Sequence, residues 1–151
     1  MSSAHRLSLA VQYAFDADKL PSRAQFRRWI RAALECDVQV TLRIVDETEG
    51  RALNRDYRGK DSTTNVLTFV YDDTNQLSGD IVMCAPQVAR EARAQHKDLA
   101  AHYAHLAIHA ALHLQGHDHE NATDAMLMEA RETAIMAKLG YADPYRKTTN
   151  K

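Results

Sequence analysis

Between His96 and His119 the chain concentrates seven of its eight histidines, and their spacing limits what this stretch can become. Around a helix of 3.6 residues per turn, His102, His105, His109 and His113 fall within one narrow sector. Asp98 supplies an N-cap before the first apolar residue, and Gly116 a stop that tolerates positive φ, so the spacing predicts one helix to about Leu114 or Gln115. His109 and His113 are one turn apart, and His119 follows after the chain has turned back at Gly116. Any one of these imidazoles, alone, reads as a core or solvated histidine of an amphipathic helix. The three together, His109-x₃-His113-x₅-His119 with Gly116 between, read as three neutral ligands around one Zn²⁺ with an open fourth position, the pattern of a catalytic site. His102, His105 and His117 do not fit the same triad and read as supporting, substrate-facing or surface groups. His117 also lies near the turn and competes with His119 for the third position. Asp118 reads either as a carboxylate orienting a ligand through its second nitrogen or as a turn cap.

The spacing matches the extended zinc-protease pattern H-E-x-x-H-x-x-G-x-x-H with one departure. The Glu that would follow the first His as general base is Ala110. A zinc-dependent peptidase-like hydrolase is therefore an alternative without its base.

The rest of the chain reads as strands first and helices later. Leu7–Tyr13 and Val38–Ile44 alternate apolar and polar residues as half-buried strands, and Asn65–Val70 and Asp80–Cys84 read as two more, joined as a hairpin. Pro21 and Ser22 open a helix to about Glu35; Asp46 with Glu49 forms a capping box for a short helix that Gly59 ends. Pro86 starts a helix to about His96, and a last one runs from about Thr123 to Leu139, closed by Gly140. The expected class is α+β, with four strands, about five helices and a zincin-like histidine helix. With 151 residues, 5 Gly and 3 Pro, and no repeat or linker, the expectation is one domain over 1–151.

Nineteen basic residues against twenty acidic exclude a polycationic nucleic-acid binder. The charge is uneven, however: 11 basic and 8 acidic groups to residue 60, then 8 and 12. Arg23, Arg27, Arg28 and Arg31 read as a solvated helix face or as a track for a nucleic-acid backbone, and Arg55, Arg58 and Lys60 as a phosphate-contacting surface. Taken alone, Arg58 is equally a helix-end cation favoured by the macrodipole. Two cysteines make no disulfide framework, and neither a signal peptide nor an apolar run of membrane-spanning length is read, so a cytoplasmic location without membrane association is expected.

The segment His109-Ala-Ala-Leu-His-Leu-Gln-Gly-His-Asp-His119 resembles the signature of the YbeY family, endoribonucleases of ribosomal RNA maturation. Asn54-Arg-Asp-Tyr-Arg-Gly-Lys-Asp61, Thr64-Asn-Val-Leu-Thr-Phe69, Gly79-Asp-Ile-Val82 and Leu139-Gly-Tyr141 extend the resemblance, in family order, over essentially the whole chain. Ala110, His117, Thr63 and Val70 stand where the family usually has Gly, Tyr, Pro and Pro. The resemblance implies helices packed on a small mixed sheet and one zinc per chain on His109, His113 and His119. It also implies Arg58 as the catalytic arginine, with Lys60, His105, His117 and Asp118 as candidates near ligands or substrate. The implied activity is cleavage of single-stranded RNA, 3′-end maturation of small-subunit (16S) ribosomal RNA and ribosome quality control, with the small subunit and its assembly factors as partners. A non-catalytic assembly factor with a structural zinc is the other alternative.

Overall fold

A computed structural model describes residues 5–17, 19–60, 62, 64–71, 76–117 and 121–146. Four strands form one mixed sheet: β1 (Leu7–Tyr13), β2 (Val38–Val45), β3 (Val66–Tyr71) and β4 (Leu77–Cys84), in the order β1-β2-β4-β3. β1 and β4 both run parallel to β2, whereas β3 lies antiparallel to β4 at the edge. Five helices complete the described chain: α1 (Arg23–Ala32), α2 (Glu47–Arg58), α3 (Ala85–Ala94), α4 (Leu99–Leu114) and α5 (Ala122–Lys138). The expected α+β class and strand count are what the structure has.

Period-2 burial decides how the sheet is used. Val38, Val40, Leu42 and Ile44 of β2 join Ile81 and Met83 of β4 in the main core, which α1, α4 and α5 close. Val45, Val82 and Cys84 point to the other face, where with Leu67 they make a smaller cluster against Leu53 of α2. α4 is apolar nearly all round and runs through the middle of the protein, as such a helix must. Trp29 and Tyr103 both meet Phe26 edge-on, at centroid distances of 5.6 and 6.1 Å, which locks α1 to α4. On the sheet side Leu114 lies directly over Gly79, where no side chain would fit.

Several boundaries differ from expectation. α1 stops at Ala32, with Ala33 as its C-cap, so Glu35 is beyond the helix. α3 ends at Ala94 rather than His96, because His96 takes a left-handed φ of 54° and turns the chain toward α4. β4 begins at Leu77, three residues early: Ser78 and Gly79 read as turn residues, but Gly79 is there for the close approach of Leu114. At α2, Asp46 accepts from the Glu49 N–H as expected, while the Glu49 carboxylate accepts from Arg43 instead of closing the box. The full reciprocal box forms at α1, between Ser22 and Gln25.

Candidate functional site

α4 begins at the Asp98 cap, whose carboxylate accepts from the Ala101 N–H. It ends in a Schellman motif: the His117 N–H bonds Leu112 O, the Gly116 N–H bonds His113 O, and Gly116 has a φ of 100°. Gln115 ties this end to that of α1. Its Nε2 donates to Ala33 O (2.8 Å) and Ala111 O (3.0 Å), and its Oε1 accepts from the Glu35 N–H (2.6 Å). The turn after His113 is thus aimed by two helices.

Up the helix, each histidine meets a different neighbour. His102 is buried, and its Nε2 lies 3.0 Å from Glu91 Oε1 of α3, a carboxylate that also accepts from Asn65 at the start of β3. His105, also buried, places Nε2 2.6 Å from Glu132 Oε1 of α5. His109, half-buried, places Nδ1 2.7 Å from the other oxygen of the same carboxylate. Tyr145, past the end of α5, donates its hydroxyl to Glu132 Oε1 as well. Glu132 is 0 % exposed. Burial opposes its charge, but the hydrogen bonds from His105, His109 and Tyr145 outweigh that and hold its pKa down at about 2. His109, Glu132 and Tyr145 line a cavity of about 420 Å³ together with Ala125, Met128 and Glu129.

His113 follows one turn after His109, half-buried on the same side of α4. His119 and Asp118 lie outside the described residues. Among the described residues no group of three or more metal-competent side chains assembles, so what α4 itself presents is the His109–His113 pair. His117 pairs with Glu35, its Nε2 2.9 and 3.1 Å from the two carboxylate oxygens, and Glu35 also takes Arg131 of α5. Position 110, where a protease would carry its base, is a fully buried alanine.

Arg58 closes α2, and Gly59, in left-handed conformation, ends it. Arg58 and Lys60 are exposed, and neither side chain has an ion pair or hydrogen bond among the described residues. Asn54, buried in α2, fixes the following loop by donating to Ser62 O at 2.8 Å. Of the α1 arginines, Arg23 stacks over Tyr13 at 5.1 Å and Arg31 donates to His5 O, so those two serve the fold.

Glu132, Glu91 and Tyr145 were not anticipated from sequence. A signal for Glu132 exists: it is an acid on the buried stripe Met128, Glu132, Ile135, Met136 of α5, a position that demands a partner.

A family model described as Endoribonuclease YbeY matches residues 12–140. A Nitrosomonas europaea protein named Endoribonuclease YbeY is 58% identical over 139 residues, covering 92% of this chain and 85% of that protein. One of the same name from Methylobacillus flagellatus is 56% identical over 146 residues, 97% and 98% of the two chains. In fold, the chain is similar to the solution structure of a Thermotoga maritima protein, with a TM-score of 0.56 at 24% identity over 91% of this chain and 99% of that one.

Proposed function

Since the chain belongs to the endoribonuclease YbeY family, we propose that it is a zinc-dependent endoribonuclease, cutting single-stranded RNA in ribosomal RNA processing, including 3′-end maturation of small-subunit (16S) RNA, and in ribosome quality control. One domain over residues 1–151 carries the activity, in the cytoplasm, with ribosomal RNA, the small subunit and its assembly factors as partners. No described helix is long and apolar enough to cross a membrane.

The observation that carries the reading is the His109–His113 pair, with His109 Nδ1 held 2.7 Å from a buried carboxylate. A histidine whose second nitrogen is engaged by a carboxylate is the usual condition of a metal-bound imidazole. His109 and His113 therefore suit a zinc ion, and the sequence spacing supplies His119 as the third ligand of this reading. Bound there, zinc supplies Lewis acidity toward a phosphoryl oxygen and a water acidic enough to attack near neutral pH.

The chain's own residues do the rest. Arg58 offers a planar cationic fork of N–H donors suited to two oxygens of one phosphate. Because no described acid pairs with it, its charge is available to the negative charge that builds on phosphorus in the transition state. Lys60 adds a second, mobile cation for the neighbouring phosphate. Asn54 and Gly59 fix where these two cations stand. Glu132 has no solvent exposure, so it does not touch substrate and acts only through the histidines and Tyr145. Ala110 leaves a peptidase without its carboxylate base.

Metal analysis of the purified chain, with cleavage of single-stranded RNA and of casein, each with and without chelator, tests the reading. Stoichiometric zinc and chelator-sensitive RNA cleavage are expected. Intact RNA in the presence of stoichiometric zinc refutes it, as does cleavage of casein alone.

A further inference from the structure

We infer that Glu132 is a positioning residue for the metal centre: its carboxylate fixes the proton of His109 on Nδ1 and so turns the Nε2 lone pair toward the ligand position. The inference rests on the zinc reading above and goes beyond it in assigning how one ligand is prepared.

An ionised carboxylate has only acceptor sites, so every group hydrogen-bonded to it must bring the hydrogen. Glu132 Oε2 lies 2.7 Å from His109 Nδ1, which makes that nitrogen the donor. Oε1 takes His105 Nε2–H at 2.6 Å and the Tyr145 hydroxyl. A neutral imidazole has one N–H, so His109 carries its lone pair on Nε2. Free histidine in water favours the opposite form, with the proton on Nε2. Glu132 therefore opposes an intrinsic preference, and that is why its removal has a consequence at the metal.

The remaining bonds explain how Glu132 itself is held. It comes from α5, 0 % exposed, and neither oxygen can swing toward water. His105 Nδ1 is buried without a hydrogen-bond partner, so His105 accommodates only the form with its proton on Nε2, facing Glu132. The His105 ring packs edge-on against both the His109 ring (6.4 Å, 73°) and the Tyr145 ring (5.1 Å, 84°). His105 and Tyr145 thus brace the carboxylate in the plane from which it reaches His109. This gives His105 a reason to be one turn below the first ligand on the same face of α4.

The test uses the full chain and zinc alone as probe. In the zinc-free wild-type protein, nitrogen-15 NMR of the imidazole rings is expected to show His109 protonated on Nδ1. In Glu132→Gln, one amide oxygen cannot serve three donors, so that preference is expected to weaken. Zinc affinity, read by competition with a chromophoric chelator, is expected to fall by about 10–100-fold. Tyr145→Phe, which removes one brace and leaves both histidine bonds, is expected to stay within a few-fold of wild type. A wild-type His109 protonated on Nε2 overturns the inference even if Glu132→Gln does not fold. Wild-type protein that binds zinc no better than Glu132→Gln overturns the inference alone. Wild-type protein that binds no zinc overturns the metal reading and this inference together.

Discussion

Replacing Gly79 by alanine tests what holds the histidine helix at its distance from the sheet. Gly79 sits inside β4, paired with Val40 on one side and Val70 on the other, and Leu114 of α4 covers it. A Cβ there would fall well inside 3.0 Å of both Leu114 Cδ1 and the Phe69 carbonyl oxygen, closer than real Cβ atoms come. Two effects compete. Alanine restricts the unfolded chain more than glycine, which would stabilise by about 0.4–1 kcal/mol where the native backbone accepts it. Overpacking costs about 1–3 kcal/mol. Leu114 can rotate part of the way, but Phe69 O belongs to the backbone of the neighbouring strand and moves only if β3 moves. The clash, against backbone, therefore takes the upper end of that range and wins, with a net loss of about 2 kcal/mol. With a urea dependence of about 2 kcal/mol per M, the unfolding midpoint should drop by about 1 M. Leu114→Ala alone should cost about 2–5 kcal/mol through its cavity. The double variant should cost less than the sum, because the methyl then occupies part of the space Leu114 leaves. A Gly79→Ala midpoint within about 0.2 M of wild type, about 0.4 kcal/mol at that slope, would refute the argument, and so would strict additivity with Leu114→Ala.

Arg58→Ala should keep its zinc and lose RNA cleavage, measured on one preparation by metal analysis and turnover; unchanged turnover removes Arg58 from the reaction. His113→Ala should lose zinc and cleavage together, and retained zinc breaks the triad. Chelation should abolish cleavage while far-UV circular dichroism stays folded, since α4 is held by apolar packing from α1, α5 and the sheet; unfolding on chelation would instead favour a structural zinc. Burial opposes the charge on Glu91, but hydrogen bonds from His102, Asn65 and Gln87 outweigh it and lower its pKa below the ordinary 4.5. Its contribution to stability is then complete above about pH 4.5 and lost as pH falls through the folded value, so the stability gap between wild type and Glu91→Gln should shrink in that window. A gap that stays constant from pH 6 to 3 (about the range spanning the transition) refutes the assignment.

What the sequence discloses follows from the range of the interaction. α4 is legible because its cap, apolar residues and Gly116 stop are all local, and the His109–His113 pair is a matter of helical period alone. The four strands are legible where side chains alternate, as in β2, and misread where Ser78 and Gly79 mimic a turn while serving a contact with Leu114, 35 residues on. Glu132 escapes for the same reason: its partners are 27 and 23 residues upstream and 13 downstream, and helical period places it only on a buried stripe. His117 illustrates the reverse. Its nearness in sequence to the third expected ligand draws it to the metal, whereas the structure pairs it with Glu35, 82 residues earlier.

The amide of Gln115 has a consequence for how the protein breathes. Glu35 is outside any helix and exposed, which by position alone would give its backbone N–H rapid exchange with solvent. That N–H is instead bonded to Gln115 Oε1, whose own amide nitrogen is committed to Ala33 O and Ala111 O. Releasing it requires the last turn of α4 to let go, so the exchange rate of a surface amide becomes a gauge of the opening of a buried helix end. A spectroscopist following Glu35 would be watching the end of the histidine helix from a position 74 residues before His109, without placing any label on the histidines themselves.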